Sequence, residues 1–158
     1  MRPTATILVP MLLLGSAALA PADSIQVCGT VTVRFQDLGP ACARSGPSLT
    51  GSVTNFEDGP GCDLRFTLDA PPTDVLTPIL ILGTRDPGLD LTRFGIGCIL
   101  RANPTFLLPM LEGVTGGVTI PISEAASLIG VTAFAQALSF ADLPDLVLSN
   151  ALRVDFLP

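Results

Sequence analysis

The side chains best able to do chemistry in this sequence are four cysteines, Cys28, Cys42, Cys62 and Cys98, and fourteen carboxylates. Nucleophilic catalysis by Ser or Cys needs an imidazole to take the proton, and the chain has no His. Schiff-base chemistry and Ser/Lys dyads need an amine, and there is no Lys. The cysteines lack the C-x₂-C spacing of a zinc site. No G-x-S-x-G turn, phosphate-cradling glycine loop or dinucleotide fingerprint occurs. What remains for the cysteines is disulfide formation. An even count in an exported chain predicts two bridges, with three connectivities open.

Two carboxylates could in principle cleave a glycoside, but no motif singles out a pair. Calcium is the other chemistry open to them. Asp86 and Asp90 with nearby carbonyls, or Asp142 and Asp145, could supply hard oxygen ligands. Neither set matches an EF-hand loop, and Asp86-Pro87-Gly88 is ordinary turn sequence. Ser149-Asn150 is the most conspicuous polar pair. Alternation predicts Ser149 on the outer face of a strand and Asn150 on the apolar face, its amide bonded to neighbouring backbone. Gln136, on an adjacent strand, is a similar case and a candidate partner for Asn150. Sugar-binding surfaces usually offer Trp or Tyr platforms, whereas all eight aromatics here are Phe. The sequence therefore assigns no catalytic, cofactor-binding or metal-ligating residue.

The N-terminus reads as a secretory signal peptide over 1–22. Arg2 precedes an apolar run from Ile7 to Leu14, followed by small residues. Cleavage fits after Ala20 or Ala22; Ala22 is preferred because the other cut leaves Pro21 first. The run is shorter than the roughly 20 residues that span a bilayer. About 136 residues remain, enough for one core. They carry seven Arg against fourteen acids and no basic cluster, which argues against nucleic acid or an anionic membrane surface as partner.

The elements that must position these residues read as strands. Ile25, Val27, Val31, Val33 and Phe35 alternate with polar residues, predicting one half-exposed strand over 25–36. Cys28 then falls on its polar side, with a partner expected from a covering loop. Leu49, Gly51 and Val53 form a short strand, and Leu64, Phe66 and Leu68 a clear one. Ala70-Pro71-Pro72 ends the latter. Ile79–Leu82 is a continuous apolar run, expected to be central and buried on both faces. Cys98–Leu100 begins another strand. Val118, Ile120 and Ile122 alternate around Pro121, which demands an edge or a bulge. Leu146–Phe156 closes the set.

The stretch 124–140 is ambiguous between helix and strand. Ser123-Glu124 looks like a helix start and Gly130 like an end. A short helical turn over 124–129, then a strand to Phe140, suits the setting better than one helix through Gly130 to Phe140. Strands every eight to fifteen residues with Gly/Pro punctuation favour a sandwich or barrel.

From about Gly39 to Phe156 the chain resembles a β-rich domain that recurs in secreted proteins of Planctomycetes and other bacteria with large exported proteomes. The matching pieces, in order, are Gly39-Pro40-Ala41-Cys42, Phe66-x-Leu68 with Ala70-Pro71-Pro72, Leu80-Ile81-Leu82-Gly83, Gly97-Cys98-Ile99-Leu100, Ile120-Pro121-Ile122, Gly130–Leu138 and Leu148–Val154. Pro40 replaces the small residue usual in the first. The resemblance implies a β-sandwich without an established activity, usually C-terminal in longer exported proteins. It also implies that Cys42 pairs with Cys98, leaving Cys28 and Cys62 as a second, local bridge. The expected departure from that pattern is a domain standing alone behind a leader and one extra strand.

The expectation is thus an all-β chain: a single antiparallel β-sandwich over 39–158, an N-terminal strand extension over 23–38 and a helical turn near 124–129. The expected core is Val31, Val33, Leu64, Phe66, Leu68, Ile79, Ile81, Ile120, Phe134, Leu148, Leu152 and Val154. The expected role is that of a secreted, non-catalytic structural or interaction module with an envelope or extracellular partner, no cofactor, and no membrane span after signal cleavage. The alternatives are a carboxylate-based hydrolase of an extracellular polymer and a calcium-dependent adhesion module.

Overall fold

A computed structural model describes residues 23–42, 46–69, 76–111, 116–140 and 146–158. The predicted leader, the Ala70-Pro71-Pro72 turn and the Asp142/Asp145 pair lie outside the described residues. Along the chain the strands are β1 (Ser24–Cys28), β2 (Val31–Asp37), β3 (Ser48–Asn55), β4 (Cys62–Asp69), β5 (Leu76–Gly83), β6 (Leu89–Asp90), β7 (Ile99–Leu100), β8 (Phe106–Pro109), β9 (Gly117–Ile122), β10 (Thr132–Phe140) and β11 (Leu146–Leu157). They form a six-stranded sheet in the order β1-β2-β11-β10-β5-β8, a three-stranded sheet β3-β4-β9 and a two-stranded ribbon β6-β7. Every pairing among them is antiparallel. The fold is all-β.

The two larger sheets stack on a shared core, because each presents one apolar face that must leave water. Val31, Val33 and Phe35 of β2, with Leu152, Val154 and Phe156 of β11, meet Leu49, Leu64, Phe66 and Leu68 of the smaller sheet. Phe35 and Phe66 contact edge to face, with centroids 6.3 Å apart and planes at 81°, an arrangement that suits the ring quadrupoles. Gly51 lies beneath the Phe35 ring, where a Cβ would come within 2.4 Å of it. The opposite face of the larger sheet carries a smaller apolar cluster of Ala41, Cys98 and Leu148, with Leu91, Ile96, Leu100 and Leu138 packed on it.

Several expectations are corrected. Residues 25–36 are a hairpin, not one strand. Gly29 takes φ +60°, and the two-residue turn Gly29-Thr30 joins Cys28 to its partner Val31. Such a turn needs a positive φ, which glycine supplies without a Cβ penalty. Alternation restarts after the turn, so β1 is inverted relative to the single-strand expectation: Gln26 and Cys28 face inward while Ile25 and Val27 are 68% and 53% exposed. The partner of Cys28 is consequently no covering loop. It is Cys62, fully buried at the start of β4.

The core differs along β10. Its small side chains Ala135 and Ala137 face the main core, while Phe134 is only partly buried. Large side chains from the smaller sheet already fill that space, leaving room only for alanines. Leu148 belongs to the smaller cluster, and on β5 it is Leu80 that enters the main core. Ile81 is buried and Ile79 partly so. β8 has no counterpart among the expected strands; Thr105 and Pro109 hide its pattern.

Other elements fall where the pattern puts them. A 3₁₀ turn spans Ala125–Leu128, Gly130 has φ +84°, and β10 follows as a strand. Pro121 lies on β9, an edge of the smaller sheet, opposite Asp63.

Candidate functional site: amides and carboxylates around the β11 bulge

Between the pairs Gln136–Ala151 and Leu138–Leu148 the register of β10 against β11 shifts. Two residues, Ser149 and Asn150, therefore stand opposite Ala137 alone, which is a β-bulge. The extra residue breaks strict alternation, so Ser149 is fully buried, contrary to its predicted outer placement. Its hydroxyl accepts from the Ala137 N–H at 2.8 Å and donates to the Asn150 carbonyl at 2.6 Å. Both bonds replace ladder bonds that the bulge disrupts.

Asn150 and Gln136 are not partners. The Asn150 amide crosses to the smaller sheet. Its Oδ1 accepts from the Leu49 N–H at 2.6 Å and its Nδ2 donates to the Leu49 carbonyl at 3.1 Å. Gln136, fully buried, reaches the opposite side of the larger sheet. Its Oε1 accepts from the Arg101 N–H at 2.9 Å, and its Nε2 donates to the carbonyls of Ile99 at 3.1 Å and Ser149 at 3.2 Å. It thereby holds the β7 segment against β10.

Gln26 is a third such residue. Its Oε1 accepts from the Val53 N–H at 2.6 Å and its Nε2 donates to the Gly51 carbonyl at 3.5 Å. Together Gln26 and Asn150 answer four backbone groups on the outer edge of β3, whose other side pairs with β4. Reading 25–36 as one strand hides Gln26 on the solvent side. The Gly29-Thr30 turn is the signal that could reveal it.

Beside Asn150 lies a concavity of about 220 Å³ lined by Asp37, Pro40, Cys42, Ser48 and Leu148, among others. Asp37 is the one carboxylate among its lining residues, and it accepts from the Gly39 N–H at 2.8 Å. Both polar atoms of Asn150 are committed to Leu49. Glycoside cleavage needs a second carboxyl across the bond from the first.

Four other carboxylates are held by local partners. Asp86 accepts from the Gly88 N–H at 2.8 Å and pairs with Arg101 at 3.3 Å. Asp90 accepts from the Thr92 N–H at 2.9 Å and caps the 3₁₀ turn Leu91–Phe94. That backbone bond holds its carboxyl below the usual range. Asp155 takes the Thr132 hydroxyl at 2.6 Å and Arg153 at 3.0 Å, and Asp23 pairs with Arg34 at 2.8 Å. Among the described residues no three His, Cys, Asp or Glu side chains gather where they could hold a metal ion.

The cysteines form two disulfides, Cys28–Cys62 and Cys42–Cys98. The first joins the two larger sheets through the main core, and the second ties the segment before β7 to the chain just past β2. Its ends are also backbone partners in an isolated antiparallel bridge. No family model, no curated protein and no solved structure matches this chain.

Proposed function

We propose that this chain is an exported, non-catalytic β-sandwich module with a structural or interaction role at the cell envelope or outside the cell. Two disulfides in a small β domain point to an oxidising setting outside the cytosol. The observation that carries the non-catalytic reading is the use made of the polar side chains at the bulge. Ser149, Asn150, Gln136 and Gln26 spend their donors and acceptors on backbone groups, and the concavity beside Asn150 is lined by a single carboxylate, Asp37. An active site would need free, converging groups with matched pKa values.

The experiment is a cross-linking pull-down with the oxidised protein on envelope and culture-medium fractions of its source. One saturable partner is the expected result. Capture of nothing from any fraction would overturn the interaction role. Hydrolysis of an extracellular polymer that is lost in Asp37→Asn would overturn the non-catalytic reading.

A further inference from the structure

We propose that β1 pairs with β1 of a second copy of this chain, joining two six-stranded sheets edge to edge. This self-association goes beyond the proposed module role and does not rest on it.

On β3 the amides of Asn150 and Gln26 already occupy the Leu49 N–H and C=O, the Gly51 C=O and the Val53 N–H. β9 carries Pro121, which has no N–H to offer. On β8 the Met110 N–H donates to Pro78, so alternation turns Leu107 and Pro109 outward, and Pro109 has no donor. β1 has none of these protections.

A two-residue hairpin closes on a hydrogen-bonded pair, here Cys28–Val31. Alternation then directs the N–H and C=O of Ile25 and Val27 away from β2. No described hydrogen bond reaches those groups from outside the β1–β2 ladder. Their side chains are also the exposed ones, at 68% and 53%.

The choice of occupant comes from the triplet Ile25-Gln26-Val27, which reads apolar-polar-apolar in both directions. A twofold axis at Gln26 sets Ile25 opposite Val27 of the second copy, and the reverse. Each such pair exchanges two backbone hydrogen bonds and sets two β-branched side chains together on the outer face. The Gln26 side chains point inward, where β3 already holds them, so they do not obstruct the approach. A strand of five residues makes a small contact, so the dimer is weak and depends on concentration.

The test is sedimentation velocity of the oxidised protein from about 1 µM to about 1 mM, with amide exchange at both ends of the range. The sedimentation coefficient should rise toward that of a dimer, and the Ile25 and Val27 amides should exchange at least about tenfold more slowly at the high end. Val27→Pro removes an outward N–H but no bond to β2, so it should stay monomeric with its melting temperature nearly unchanged. Ile25→Lys should do the same through charge, and it decides the matter should Val27→Pro fail to fold. A monomer throughout the range, or a dimer that persists in Ile25→Lys, overturns the proposal.

Discussion

Leu49 turns its N–H and C=O toward Asn150, a residue 101 positions away, and a single amide answers both. Truncation in Asn150→Ala leaves two backbone groups without that partner. We expect a loss of about 1–3 kcal/mol, read as a lowered urea midpoint. Asn150→Asp should cost at least as much at neutral pH, because a carboxylate would face the Leu49 carbonyl. A midpoint unchanged in both variants would show that the amide adds nothing to stability.

Asp90 offers a titration at the same scale. The Thr92 N–H bonds the charged form, so the folded pKa lies below the unfolded value. The cap therefore contributes fully above the unfolded pKa and is lost as pH falls through the folded one. Carbon-detected NMR should give Asp90 a midpoint below that of a model peptide, with the Thr92 amide shift tracking it. A midpoint at the ordinary value would contradict the cap. That an amide at 150 serves backbone was legible from its place on an apolar face. Its partner was not, because pairing it with Leu49 requires knowing how two sheets stack. The burial of Ser149 was hidden by the bulge, since one extra residue moves its neighbours along the strand to the other face.

At the scale of elements, period-two patterns were good guides wherever one strand ran unbroken. β4 buries Leu64, Phe66 and Leu68 as its alternation requires, and β9 sits at an edge as Pro121 requires. The pattern failed at Gly29-Thr30, where apolar residues before and after the turn kept the same parity in sequence yet ended on opposite faces. Gly29 is held there by more than its φ. Its N–H donates to Asn55 Oδ1 at 2.8 Å, and a Cβ would meet the Pro60 carbonyl at 2.2 Å. Close packing makes Gly51 the sharper probe. Gly51→Ala sets a methyl against the Phe35 ring and should disturb its contact with Phe66, costing about 1–3 kcal/mol. Phe35→Leu, combined with Gly51→Ala, should recover part of that loss in a double-mutant cycle. Strict additivity would place the strain elsewhere.

For the whole molecule the two disulfides close segments of 34 and 56 residues. Chain entropy alone values each at about 4 kcal/mol, nearly equal. Their effects should differ in reach instead. Cys28 and Cys62 are both fully buried between the sheets, so replacing the pair by alanine should lower the stability of the entire sandwich. Cys42–Cys98 anchors a small cluster on the outer side of the larger sheet. Its double alanine variant should speed amide exchange around Leu91 and Ile96–Arg101 while β2, β4 and β11 stay protected. Uniform loss of protection would show that the cluster and the main core unfold as one. The all-β class was legible from strand spacing and turn residues. The way the β6–β7 ribbon covers one face was not, since its contacts span distant parts of the chain.

The place of β2 between β1 and β11 has a mechanical consequence. Both neighbours run antiparallel to β2, so they point the same way, and Asp23 and Pro158 fall at opposite ends of the sheet. Tension applied through those two residues loads both ladders lengthwise, so their hydrogen bonds must yield together. Pulling instead between Asp23 and Gln36, at one end of the hairpin, opens the bonds one after another. Atomic-force stretching should find the first geometry much the stronger, with Cys28–Cys62 stopping any peeling of β1 at its far end. Equal rupture forces in the two geometries would contradict this. A sandwich built this way can carry a load along its length.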